Sequence, residues 1–118
     1  MRTIIAGSRT ITDREWVFNT LSDMQPYLNI LSVLSGCANG PDRFGEQWAY
    51  SLNIDIEKFP ANWDLYGKRA GFVRNIEMAE KADALVAFWD GSSKGTRHMI
   101  GKALDHGLTV MVFRSHSI

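Results

Sequence analysis

Four short segments of the 118-residue chain carry residue types able to bind or transform an anion. They are Gly7-Ser8-Arg9, Ser35-Gly36-Cys37-Ala38-Asn39-Gly40-Pro41-Asp42, Ala70-Gly71-Phe72-Val73-Arg74-Asn75 and Asp90-Gly91-Ser92-Ser93-Lys94-Gly95-Thr96. Glycine lets backbone approach a ligand closely, and amide hydrogens at the opening of a helix sit at the positive end of its dipole. The last segment follows the continuous apolar run Ala84 to Trp89. Beyond it Met99, Ile100, Ala103 and Leu104 recur at helical spacing, and Gly107 fits a helix stop. Strand, small-residue loop and helix start, in that order, make Asp90, Gly91, Ser92, Gly95 and Thr96 a candidate phosphate floor. Plain turn chemistry uses the same residues, so this loop alone does not separate the two readings. Arg74 and Asn75 open a further helix after Gly71, and Asp42 and Glu46 stand at i,i+4, on one side of another near its N-terminal end.

The elements that must position these residues alternate. Thr3 to Ala6 reads as a buried strand. A helix follows, with Thr12 as cap and Glu15 three residues later in a capping-box pattern, and with Val17, Leu21, Met24 and Leu28 on its apolar face. Ile30 to Leu34 is a second strand. Pro41 suits the first turn of the next helix, whose core face is Phe44, Trp48 and Leu52. Ile54 to Phe59 alternates apolar and charged residues, as a strand nearer a sheet edge does. Pro60 to Arg69 reads as irregular, with Trp63, Tyr66, Lys68 and Arg69 able to form a lid that stacks on a base and reaches a phosphate, or simply to anchor the loop. The next helix is expected to turn Phe72, Val73, Ile76 and Ala79 inward. The final strand is Leu108 to Phe113, and the tail from Arg114 to Ile118 reads as frayed.

Strictly alternating elements predict an α/β fold of three layers: a Rossmann-like parallel sheet of about five strands with helices on both faces, in a single domain spanning residues 1–118. Ligands in such sheets gather at the carboxyl ends of the strands, where three of the glycine segments fall. Composition narrows the partners. Thirteen basic and thirteen acidic side chains balance, which argues against a dedicated nucleic-acid surface. The single cysteine, Cys37, forms no internal disulfide, and no apolar run approaches the roughly 20 residues that span a bilayer, so a cytoplasmic setting without membrane contact is expected. His98, His106 and His116 show no metal-ligand spacing with one another or with Cys37, and no metal or cofactor is expected. No Walker loop, Gly-x-Gly-x-x-Gly fingerprint or Ser-His-Asp arrangement is present.

Taken together, the four segments, with Gly45-Glu46, Trp48-Ala49 and Phe88-Trp89, resemble the YspA/YpsA-like branch of the SLOG superfamily, named after the DNA-processing protein Smf/DprA and the LOG phosphoribohydrolases. The similarity runs from about Thr3 to Val112, with the motifs in the same order. It implies a Rossmann-like sheet associated with nucleotides or nucleotide-derived ligands, in a branch found in bacteria and their phages. LOG members cleave the N-glycosidic bond of nucleoside 5′-monophosphates with an arginine, matched here by Arg74, and a glutamate three residues after a Gly-Thr pair. That pair is Gly95-Thr96, and three residues beyond it stands Met99, whose thioether neither accepts a proton nor stabilises a cationic centre. The branch carries acids elsewhere, matched by Asp42 and Glu46, which can hold ribose hydroxyls, a metal-bound water or an attacking water.

The resulting expectation is a protein that senses or sequesters a nucleotide-derived small molecule: a nucleoside monophosphate, ADP-ribose or a cyclic relative. Gly7, Ser8, Arg9, Gly36, Gly40, Asp42, Arg74, Asn75, Asp90, Gly91, Ser92, Gly95 and Thr96 would contact it. The alternatives are a phosphoribohydrolase with Arg74 and Glu46 or Asp42 as catalytic groups, and single-strand DNA binding of the Smf/DprA kind. Self-association into a homo-oligomer is expected of so small a chain with spare aromatic residues.

Overall fold

The computed structural model describes residues 1–115. Five strands, β1 (Arg2–Gly7), β2 (Ser32–Ser35), β3 (Asp55–Lys58), β4 (Ala84–Trp89) and β5 (Thr109–Arg114), form one parallel sheet in the order β3-β2-β1-β4-β5. The alternating pattern is thus realised as an α/β Rossmann-like fold. Period-two alternation assigns the strand residues to two cores. Ile5, Val33, Val86 and Phe88 face α1 (Arg14–Leu28) and α2 (Pro41–Ser51), where Val17, Leu21, Trp48 and Ala49 complete one apolar layer. Ile4, Ala6, Leu34, Leu85 and Ala87 face α4 (Ala70–Lys81) and α5 (Lys94–Asp105), which supply Met78, Ala79, Met99 and Ala103. Strands buried on both faces read as continuous apolar runs, which is why β4 was so visible. β3, placed near an edge by its charges, is the edge next to β2.

Several local expectations are corrected. The cap of α1 is Asp13, whose carboxylate accepts from the Trp16 N–H at 3.0 Å, and not Thr12; either residue can cap, and Asp13 stands one step nearer the first helical turn. β2 begins at Ser32 and omits Ile30 and Leu31. The segment 60–69 is not irregular throughout: α3 (Trp63–Tyr66) and a 3₁₀ turn (Gly67–Arg69) occupy most of it. Asn62 Oδ1 caps α3 by accepting from Leu65 N–H at 3.1 Å, and a single turn is too short to show a period. Leu52, Phe72 and Leu104, expected inward, are 51%, 45% and 60% exposed. Arg114 closes β5 and the Ser115 N–H bonds the Trp89 carbonyl at 2.9 Å, so these two are not frayed; His116 to Ile118 lie outside the described residues.

The chain leaves β1, β2 and β3 to one side of the sheet and β4 and β5 to the other, so the strand order reverses between β1 and β4. At that switch point the Ser8 N–H donates to the Phe88 carbonyl at 2.9 Å, joining the two carboxyl ends.

Candidate functional site

A cleft of about 430 Å³ opens at the switch point. It takes Gly7, Arg9 and Thr10 from the end of β1, Ala38 and Asp42 from the β2–α2 turn, Arg74, Asn75 and Met78 from α4, and Asp90, Ser93, Gly95, Thr96 and Met99 from the β4–α5 connection. Segments far apart in the chain, from Gly7 to Met99, thus meet because each follows, or packs across, a strand end.

Asp42 sits in the first turn of α2, behind Pro41, and is 4% exposed. Burial pushes its pKa up to about 6, against the opposing pull of the Ala38 and Gly7 N–H groups and the Arg74 charge. The Ala38 N–H reaches its Oδ2 at 3.3 Å. Arg74 is held on two sides: Nε donates to Asn75 Oδ1 at 2.9 Å, and Nη1 donates to the Gly36 carbonyl. Nη2 donates to no protein acceptor among the described residues. Burial lowers the Arg74 pKa and the neighbouring Asp42 raises it. Asn75, 5% exposed, donates from Nδ2 to the Gly95 carbonyl and to His98 Nδ1, each at 3.2 Å, and so ties α4 to α5. Burial, then the charge of Lys102, lowers the His98 pKa.

The β4–α5 loop is organised by Asp90. Its Oδ1 accepts from the N–H of Ser92 at 2.9 Å and of Ser93 at 2.8 Å, and its Oδ2 from Thr10 Oγ1 at 2.8 Å. These bonds hold its carboxyl well below the usual carboxylate range. Ser93 is the cap of α5, reaching the Thr96 N–H at 3.4 Å. The expected row of open amides is therefore shorter than the loop. Ser92, Ser93 and Thr96 are internally bonded, and the Lys94 and Gly95 N–H groups are the first-turn donors that meet no protein acceptor among the described residues.

Of the residues expected at a site, Gly7, Arg9, Asp42, Arg74, Asn75, Asp90, Gly95 and Thr96 line the cleft. Ser8, Gly36, Gly40, Gly91 and Ser92 are not among its lining residues. Ser8, 1% exposed, accepts from the Asp90 N–H at 3.1 Å and shares a 3.4 Å contact with Thr96 Oγ1. Gly40 (φ +85°) fits beneath the carbonyls of Ser8 and Ile11, and Gly91 (φ +88°) beneath the Arg114 guanidinium. Glu46 does not line the cleft: it accepts from Ser35 Oγ at 2.5 Å, pairs with Arg43 and Lys58, and borders a different hollow with Arg14 and Tyr50. A helical turn puts i and i+4 on one side without aiming both at one cavity. Thr10 and Ser93 are lining residues that the sequence reading missed. Two adjacent serines ahead of a helix did announce a cap, whereas Thr10 carries no signal of its own.

A family model described as the YspA, cpYpsA-related SLOG family matches residues 1–66 of the chain. The chain belongs to that family. The Gene 61 protein of Mycobacterium phage D29 is similar to this SLOG chain, 39% identical over 121 residues, which cover 95% of each. A solved structure of DNA processing protein A (DprA) from Streptococcus pneumoniae superposes on 98% of it with a TM-score of 0.79 at 14% identity, a likeness of fold. The SLOG chain spans 50% of the DprA chain. Met99, the thioether at the position that departs from the LOG pattern, is 1% exposed and borders the cleft of this family member beside Thr96. Among the described residues no group of three or more His, Cys, Asp or Glu side chains is placed to hold a metal ion, and no helix is long and apolar enough to cross a membrane.

Proposed function

We propose that this cleft binds the anionic part of a nucleotide-derived small molecule, such as a nucleoside monophosphate, ADP-ribose or a cyclic relative, and that the protein senses or sequesters it. The observation that carries this reading is the state of Arg74. Its guanidinium is fixed by Asn75 and Gly36, with Nη2 uncommitted, in the same cleft as Gly95, whose N–H is open at the start of α5. A preoriented guanidinium and helix-start amides are the donors that recognise phosphate oxygens. Family membership supports the nucleotide-derived class without selecting a member of it. The test is thermal unfolding against a nucleotide panel. A ligand that binds the folded state raises the midpoint progressively with concentration, and Arg74→Ala is expected to abolish the rise. No shift with any nucleotide would remove the reading.

Asp42 favours one other reading. A buried carboxyl whose pKa is pushed to about 6 can carry a proton to a leaving base or take one from water. The protein would then be an N-glycosidase of nucleoside monophosphates, with Arg74 on the phosphate and Asp42 alone in the acid–base role, Glu46 being turned elsewhere. Release of free base that Asp42→Asn abolishes, with binding retained, would establish it. Single-strand DNA binding has in its favour the fold shared with DprA and against it the balanced charge. Salt-sensitive retention of oligonucleotides would bring it forward.

A further inference from the structure

We propose that Trp63 is the stacking platform for a planar ring carried by the anion on Arg74, so that the cleft selects nucleobase-bearing phosphates over bare or sugar phosphates. This inference rests on the anion reading of the cleft and adds a second contact to it. Trp63 belongs to α3, the single turn capped by Asn62, and is 55% exposed. Half-solvated tryptophan leaves a large apolar face in water. Its position is not arbitrary. A methyl group placed on Gly71 would lie 3.6 Å from Arg74 Nη2 and 3.8 Å from Trp63 Cη2. The free nitrogen of the guanidinium and the edge of the indole therefore flank the same point on α4, and the absence of a side chain at Gly71 leaves the way between them open. Nε and Nη1 are bound to Asn75 and Gly36, so an anion on Arg74 is directed to Nη2, the nitrogen that faces Gly71 together with Trp63. An anion that carries a flat ring can then lay it on the indole, and stacking of this kind tolerates any base because every base has a π-face.

The experiment is calorimetric titration of the full chain with inorganic phosphate, ribose 5-phosphate and adenosine 5′-monophosphate, repeated on Trp63→Ala and Trp63→Phe. The wild type is expected to bind the nucleotide about tenfold more tightly than ribose 5-phosphate. Trp63→Ala should erase that margin while leaving ribose 5-phosphate within about twofold, and Trp63→Phe should restore most of it. Unfolding midpoints of both variants confirm that the fold is intact. Equal affinity of the wild type for the two organic phosphates, or a margin that survives Trp63→Ala, overturns this proposal and leaves the anion reading standing. Failure of all three probes to bind overturns this proposal, and the anion reading falls with it when the nucleotide panel also gives no thermal shift.

Discussion

Asp42 and Arg74 close on Gly36 from two sides. A Cβ at Gly36 would lie 2.8 Å from Asp42 Oδ2 and 2.5 Å from Arg74 Nη1, so neither group can keep its place unless residue 36 is glycine. Gly36→Ala must therefore push the guanidinium off the Gly36 carbonyl or the carboxylate off the Ala38 N–H. Overpacking of this kind costs about 1–3 kcal/mol. The expected outcome is a folded protein with a lowered denaturant midpoint and no ligand-induced thermal shift. A variant that keeps the full shift would show that Arg74 does not act from the observed position.

Asp42 also makes a pH prediction whose sign is fixed by its burial. Its folded-state pKa of about 6 lies above the ordinary 3.8, so the folded state holds this proton more tightly than the unfolded chain does. The stability it contributes is in place below pH 3.8 and is lost as pH rises through 6. The gap converts to about 3 kcal/mol at 1.36 kcal/mol per pKa unit. Asp42→Asn, neutral at every pH, should match the wild type near pH 4 and exceed it at pH 8 by up to about 3 kcal/mol in urea unfolding. Parallel pH profiles for the two proteins would contradict a buried carboxyl with a raised pKa.

How far the sequence exposed this site depends on which residues carry periodicity. The three glycine turns at strand ends were legible because strand, turn and helix each change the pattern there. Their meeting at one crevice followed from alternation alone. The phase of α4 was not legible. Its inner stripe runs through Asn75, Met78 and Ala79, and a polar residue on that stripe makes the apolar set Phe72, Val73, Ile76, Ala79 look like the buried face. Phe72 instead stacks on His98 at 4.1 Å between ring centroids. The rotation that misled the pattern is the one that turns Arg74 and Asn75 into the cleft. Likewise the part Asp90 plays in organising its loop was not legible. Its bonds to Ser92 and Ser93 depend on loop geometry that residue types do not encode.

Gly45 supplies a packing test independent of any ligand. A methyl group there would lie 2.7 Å from Ile5 Cγ2 and 2.9 Å from Ile5 Cβ, and Ile5 is a fully buried, β-branched residue of β1 that cannot step aside. Helix propensity alone favours alanine over glycine by about 1 kcal/mol. Because the clash sets α2 off the sheet, Gly45→Ala is expected to destabilise by about 1–3 kcal/mol net, read as a lower urea midpoint. A stabilised variant would mean that α2 rides further from β1.

Asp90 occupies part of the anion-attracting start of α5 with its own charge. Asp90→Asn keeps an oxygen to accept from Ser92 and Ser93 while removing the negative charge that faces the cleft. The expected result is about two- to fivefold tighter binding of phosphate-bearing ligands, a factor in keeping with a partly solvated charge and reduced by added salt. Because the folded state favours the ionised form, the Asp90 contribution to stability is present at neutral pH and lost on acidification below the ordinary carboxylate range. The variant should accordingly lose stability at pH 7 and converge with the wild type in acid.

Arg74→Lys separates charge from geometry. If the cleft needs a positive charge alone, lysine serves. The structure requires more: one nitrogen reaches Asn75, a second the Gly36 carbonyl, and a third remains for the ligand, in a fixed planar fork. A lysine ammonium on a flexible stem cannot make the two anchoring bonds while presenting a preoriented donor. Its loss also leaves Asn75 Oδ1, buried between α4 and α5, without its present donor, at a cost of about 1–3 kcal/mol. Arg74→Lys should therefore weaken ligand binding nearly as much as Arg74→Ala, by tenfold or more in titration calorimetry. Binding retained within about twofold would instead assign the residue a diffuse electrostatic role.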